Sequence, residues 1–179
     1  MMLGQQRVRP MTTDDLQQVL AWRNHEAVRR FMLTQHEISL AEHIQWFARA
    51  SRDDGRHLLI FETSTSENDS DPLGFVSFQA LAQGGVAEWG FYVAPGAPRG
   101  TGSQMGQTAL QYAFDALGFD KVEGQALAHN ESSIRFHVRM GFTQEGVLRR
   151  HHFDGARYHD LICFGLLANE WQLQEGGTP

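Results

Sequence analysis

The chain of 179 residues carries one cysteine, one lysine and five prolines. With Cys163 alone no internal disulfide can form, and a reducing compartment, by default the cytoplasm, is expected. No apolar run approaches the roughly 20 residues that a membrane-spanning helix needs, so no membrane partner is expected. The opening stretch, MMLGQQRVRPM, lacks the apolar segment of a secretory signal, and none is expected. Excess positive charge is missing too. A formal net charge of −6 argues against a general nucleic-acid-binding surface. Lys121 apart, every cationic side chain is an arginine. Arginine grips phosphate in a bidentate way that lysine cannot, but a GC-rich genome produces the same bias and is the simpler account.

What is present is ordinary for a globular protein: 41% hydrophobic residues and 20% charged. One domain spanning 1–179 is expected, with residues 172–179 as a frayed tail. Val8–Met11 reads as a strand. Thr12-Thr13-Asp14-Asp15 then opens a helix through Leu16, Val19, Leu20 and Trp22. Ser39-Leu40-Ala41-Glu42 is a capping-box pattern, followed by Ile44, Phe47 and Ala48 at helical spacing. Strands are expected at 57–62, 74–81 and 86–93, with the polar stretch 64–71 as a hairpin loop. A helix with Met105, Ala109 and Ala113 on one stripe follows, then a strand from Lys121 to Ala128. Asn130–Met140 reads as a short helix with Ile134/Val138 and Phe136/Met140 pairs, stopped at Gly141. Two last strands flank Asp154-Gly155, read as a two-residue turn. The order is β-α-α-β-β-β-α-β-α-β-β. It describes an α/β (α+β) chain whose mixed, mostly antiparallel sheet of about seven strands is flanked by about four helices.

The stretch VAPGAPRGTGSQMGQTALQYAF, residues 93–114, turns a strand into a helix through Arg99-Gly100-Thr101-Gly102. A helix N-terminus offers unpaired N–H groups and the positive end of a dipole, and glycines let a ligand come close to the backbone. A dinucleotide fingerprint fails because Met105 stands where the third glycine belongs. A P-loop fails because no lysine follows. A plain tight turn and an anion site both remain open on the loop alone.

The loop resembles the pyrophosphate loop of the GNAT acetyltransferases, R/Q-x-x-G-x-G/A, with Gln104 departing at the last position. Asn130–Phe142, NESSIRFHVRMGF, is similar to the N-x-x-[SA]-x-x-[FL]-[YH]-x-x-x-G-F stretch of the same superfamily, about thirty residues further on. The resemblance covers Arg7 to Leu167. It implies the GNAT fold and acetyl-CoA as cosubstrate, held by Val93, Arg99, Gly100, Thr101, Gly102, Ser103, Gln104, Asn130 and Ser133. Near the N-terminus, Trp22-Arg23-Asn24-His25 with Glu42-His43 resembles enzymes acetylating the 4-amino group of UDP-4-amino-4,6-dideoxy-N-acetyl-altrosamine in pseudaminic acid synthesis. That likeness places Arg23, His43 and Tyr92 around the nucleotide sugar, the small-molecule partner expected here.

Acetyl transfer needs a neutral amine, an oxyanion stabiliser and a way to release the thiolate. The backbone of Trp89–Val93 is the expected oxyanion stabiliser. Glu88 is a candidate base, or else an edge-strand carboxylate in solvent. His137 stands where the family usually has a tyrosine proposed to protonate the thiolate. An imidazolium with pKa near about 6.5 suits that task, and the change leaves open a different acceptor. His151, His152 and His159 do not make a zinc site, because only His152 and His159 share a face, diagonally, so no metal is expected. Cys163 reads as core. The alternatives are an N-terminal acetyltransferase of the ribosomal-protein type, suggested by Arg149, Asp154, Gly155 and Asp160, and a non-catalytic acyl-CoA sensor. An exposed edge strand at the last hairpin offers a way to pair two chains into a homodimer.

Overall fold

The computed structural model describes residues 5–66, 69–81 and 84–176. Seven strands form one sheet: β1 (Gln5–Pro10), β2 (Arg56–Ser66), β3 (Asp69–Ala80), β4 (Val86–Val93), β5 (Lys121–Leu127), β6 (Thr143–Phe153) and β7 (Tyr158–Leu167). Their order is β1-β2-β3-β4-β5-β7-β6, antiparallel throughout except for the β4–β5 pair. Among the described residues six α-helices accompany them: α1 (Leu16–Asn24), α2 (Glu26–Arg29), α3 (Leu40–Ala50), α4 (Thr101–Gln111), α5 (Glu131–Arg139) and α6 (Ala168–Glu175). A mixed, mostly antiparallel sheet is therefore present. Two helices, α2 and α6, were not expected. The expected frayed tail is helical as far as Glu175, because Trp171 packs against Phe114 and is buried.

The capping chemistry forms as expected at α3, where Ser39 N–H donates to Glu42 Oε2 at 2.8 Å and Glu42 N–H donates to Ser39 Oγ at 3.2 Å. The β2–β3 hairpin runs further than the expected loop allowed, with Ser64 paired to Ser70; residues 67–68 lie outside the described residues. The last hairpin differs in register. Phe153 pairs with Tyr158 and His152 with His159, so four residues form the turn rather than two. Asp154 is the reason. Its Oδ1 accepts from the N–H groups of Ala156 and Arg157, at 2.8 and 2.9 Å, holding a wider turn. The surplus is absorbed by a bulge between Leu148 and His152, with Arg150 at φ +51°.

One face of the sheet presents Phe61, Val76, Phe78, Trp89 and Phe164 to α4, α5 and α6. The opposite face, over β2 and β3, presents Leu58, Ile60 and Phe75 to Val19 and Trp22 of α1 and Ala50 of α3. Met105, Ala109 and Ala113 are buried on their expected stripe, whereas Val138 points outward, 60% exposed. Cys163 is half-buried rather than core, and burial together with Glu123, Glu145 and Glu88 pushes its thiol pKa up.

Glu62 on β2 is fully buried and would be costly alone. Arg7 reaches it at 2.7 Å and Arg9 at 2.9 Å, while Arg9 also grips Asp15. Despite opposing burial, Arg9 and Arg7 hold the Glu62 carboxyl below its usual range, and Arg9 with Thr12 does the same for Asp15. Depressed carboxylates stabilise the fold above their unfolded pKa values, and that stability is lost as pH falls through the folded ones. Glu62→Gln should cost about 2 kcal/mol at pH 7, since both arginines keep partial solvent access. Urea denaturation across pH should show the difference from wild type shrinking below pH of about 4.

Candidate active site

The site is set by where strand pairing stops. β4 and β5 are joined through Val86–Lys121, Ala87–Val122 and Glu88–Glu123 only. Beyond that point β4 continues to Val93 and stays paired with β3, while β5 continues to Leu127 and stays paired with β7. Alternate backbone groups of Trp89–Val93 that a parallel neighbour would have taken face a gap instead. A cavity of about 740 Å³ occupies this fork, lined among others by Glu88, Val93, Gly102, Asn130 and Ser133.

At one end of the fork stands the first turn of α4. Gly100 is its N-cap with φ +91°, a conformation that favours glycine, and no side chain caps it. Thr101 N–H and Oγ–H both turn back to Pro98 O, at 3.2 and 2.7 Å. The N–H groups of Gly102 and Ser103 lack intrahelical acceptors by position and suit an anion. Arg99 is exposed beside them and Gln104 is half-buried on the following turn. At the other end, Asn130 caps α5, its Oδ1 accepting from Ser133 N–H at 3.2 Å.

A second cavity, about 390 Å³, adjoins the fork on the β3–β4 face that α1 and α3 cover, and is lined by Arg23, His43, Trp46, Arg49, Phe75 and Tyr92, with others. Phe75 and Tyr92, stacked 5.1 Å apart, line both cavities and so mark their junction. Asn24 clamps the Ile38 backbone, donating and accepting at 2.8 Å, and Arg23 Nη2 donates to Thr34 O at 2.8 Å. These bonds hold the segment after α2 against the cavity. Two polar atoms there are buried without a partner: Arg23 Nη1 and His43 Nε2. Burial pushes the Arg23 pKa down, with Tyr92 opposing and Arg29 adding. Burial also lowers that of His43, which stacks on Trp46 at 5.2 Å; a backbone bond at Leu16 opposes the fall and Arg23 deepens it. Burial raises the Tyr92 phenol pKa, so it remains an O–H donor at neutral pH.

Residues 6–143 match the family model for the acetyltransferase (GNAT) domain. The chain belongs to that family. It is an acetyl-CoA-dependent N-acetyltransferase of the GNAT type. It is 32% identical over 114 residues to the SPbeta prophage-derived uncharacterized N-acetyltransferase YokL of Bacillus subtilis, covering 62% of this chain and 63% of that protein. Similarity to the acetyltransferase PseH of Campylobacter jejuni is 23% over 134 residues, 74% of this chain and 80% of PseH. A spermidine N-acetyltransferase from Vibrio cholerae, solved with CoA and spermine, shares the fold at TM-score 0.84 and 19% identity, over 94% of this chain and 98% of that one. Coenzyme A supplies the thioester and an anionic pyrophosphate. The uncapped α4 turn and the unpaired β4 edge fit those two groups.

The expected site residues separate into groups. Glu88, Val93, Gly102, Asn130 and Ser133 meet around the fork, and Arg23, His43 and Tyr92 meet around the second cavity. His137 does not fit the thiolate-protonating task. It is 1% exposed, its Nδ1 donates to Ser133 O at 2.8 Å, and its Nε2 accepts from Trp89 Nε1–H at 3.2 Å. Burial lowers its pKa, so the ring is neutral with its one proton committed to the backbone. Trp46, Arg49 and Phe75 escaped sequence reasoning because no spacing rule joins α3 to the middle of β3. Among the described residues no three metal-ligating side chains gather, and His159 Nε2 lies 2.5 Å from Asp154 Oδ2.

Two substitutions separate charge from conformation in the α4 turn. Gly100→Ala should strain the turn by about 1–2 kcal/mol and weaken acetyl-CoA binding accordingly. Arg99→Ala should weaken it by about fivefold, roughly 1 kcal/mol, with the deficit fading at high salt. Isothermal titration with acetyl-CoA at two ionic strengths checks both.

Proposed function

We propose that the chain transfers the acetyl group of acetyl-CoA to the 4-amino group of a UDP-linked 4-amino-4,6-dideoxy sugar, the acceptor class of pseudaminic acid synthesis. The carrying observation is the pair of buried, unpartnered nitrogens, Arg23 Nη1 and His43 Nε2, in one aromatic-walled cavity beside the fork. A guanidinium whose Nη1 is buried without a partner is left costly, and a diphosphate entering the cavity would satisfy it. An anion would also favour the protonated form of His43, turning its Nε2 into a second donor. Trp46, Phe75 and Tyr92 supply apolar walls for a base or sugar ring. The 23% identity to PseH points the same way. A polycation such as spermine, by contrast, would meet Arg23 and Arg49.

In this mechanism the amine reaches the thioester at the junction marked by Tyr92. Backbone N–H groups of the unpaired β4 edge polarise the carbonyl. As the C–N bond forms and the thioester C–S bond breaks, Glu88, at the vertex of the fork, takes the amine's proton directly or through water, and coenzyme A leaves as a thiolate that water protonates. Burial, and then the Glu123 charge, raise the Glu88 pKa, making it a better base than a solvated glutamate. The ionised form is the active one, so kcat/KM should rise with pH through an ionisation above the ordinary glutamate range. Glu88→Gln should abolish that limb of the profile.

The acceptor itself is tested by thiol release from acetyl-CoA with a UDP-4-amino sugar, an N-terminal peptide set and spermidine. Turnover of the sugar nucleotide is expected, with Arg23→Ala lowering kcat/KM by about 30-fold, roughly 2 kcal/mol. Turnover of peptides or spermidine alone would overturn the acceptor reading, and acetyl-CoA binding with no amine turnover would favour a sensor.

A further inference from the structure

The two residues just past the last β4–β5 pair are Trp89 on β4 and Gly124 on β5. The His137 imidazole, coming from α5, lies over Gly124, bounded on one side by the Trp89 indole and on the other by the Phe164 ring. Its Nε2 accepts from Trp89 Nε1–H, and a methyl placed on Gly124 would collide with that nitrogen and meet Trp89 Nε1 at 2.6 Å. The ring stacks almost parallel on Phe164, 4.7 Å away at 5°, and Phe164 is the β7 partner of Gly124. Phe142 closes another side edge-on at 5.1 Å, and Phe91 and Phe136 complete an aromatic cage. The one remaining ring proton is held by Ser133 O, one turn earlier on α5.

We infer that His137 is a positioning residue for acetyl transfer: a neutral wedge at the vertex of the fork that holds β4 and β5 apart for the thioester. Its contacts reach four elements of the fork, β4 through Trp89, β5 through Gly124, β7 through Phe164 and α5 through Ser133, and Phe142 packs on its remaining edge. It has an acceptor facing Trp89 and no free proton to deliver. Removing the ring would open a void over Gly124 and leave the Trp89 indole without its acceptor, so that β4 shifts toward β5 and narrows the gap into which its N–H groups point. The role is independent of which amine the second cavity accepts, because it concerns the acetyl-CoA side alone.

The test compares His137→Gln, whose side-chain oxygen can still accept from the indole, with His137→Ala and Trp89→Phe. Acetyl-CoA affinity is read by titration calorimetry. The Trp89 indole N–H is followed by proton–nitrogen NMR with hydrogen exchange. The wild type should show a slowly exchanging Trp89 indole N–H. His137→Ala should expose it and weaken acetyl-CoA binding by about tenfold or more, while His137→Gln keeps the N–H protected and restores affinity to within about threefold. Trp89→Phe, which retains the aromatic bulk, should weaken binding severalfold even if the alanine variant does not fold. Unchanged acetyl-CoA affinity in His137→Ala or in Trp89→Phe would overturn the inference, as would a glutamine variant no better than alanine. A failure of the UDP-sugar acceptor would leave all these readouts in place.

Discussion

Parallel pairing between β4 and β5 lasts three residues, and the chemistry depends on its stopping there. A backbone N–H in the middle of a sheet is spent on its neighbour. By parting after Glu88 and Glu123, the two strands leave part of the β4 edge free while each remains anchored to its outer partner, β3 or β7. The gap is then furnished from both ends: α4 brings an uncapped first turn, and α5 brings Asn130, Ser133 and the buried His137. Backbone donors held on such rigid elements would have little conformational freedom left to lose on binding a thioester and a pyrophosphate.

In the proposed reading, the second cavity recognises the acceptor by a different means. There the determinants would be polar atoms buried at a cost: Arg23 Nη1, on a guanidinium with one carbonyl partner, and His43 Nε2. Unpaired polar groups of this kind make a cavity selective, since a ligand that cannot satisfy them leaves the desolvation cost standing. The chain shares its fold with a spermidine N-acetyltransferase at 19% identity, and a shared fold leaves cavity walls free to vary. Phe75 and Tyr92 connect the two halves, each lining both cavities from neighbouring strands.

Much of this architecture was readable in the chain because it rests on local rules. The Ser39–Glu42 box, the glycine-rich entry to α4 and the Met105/Ala109/Ala113 stripe each declare themselves within a few residues, and the order of elements followed. What local rules could not reach was the partner of each side chain. His137 occupies a position where a tyrosine would point at a thiolate, and nothing in NESSIRFHVRMGF reveals that Trp89, 48 residues earlier, takes its Nε2. The hairpin register failed at Asp154, whose side chain builds a wider turn than the Asp-Gly pair suggests. The helix α6 was hidden because Trp171 finds its pocket beside Phe114, a tertiary contact with little helical patterning around it. Arg23 and His43 were readable as residues, but their unpartnered atoms belong to the packed molecule.

The central claim is that the parted strands and the α4 turn together form the acetyl-CoA site. Amide chemical-shift mapping on nitrogen-15-labelled protein titrated with acetyl-CoA tests it most directly. The account predicts the largest shifts at the amides of Trp89–Val93 and Thr101–Ser103, with slowed exchange in both groups and little change in β6. Saturable shifts centred on the β6–β7 hairpin, with the β4 edge and the α4 turn undisturbed, would contradict it.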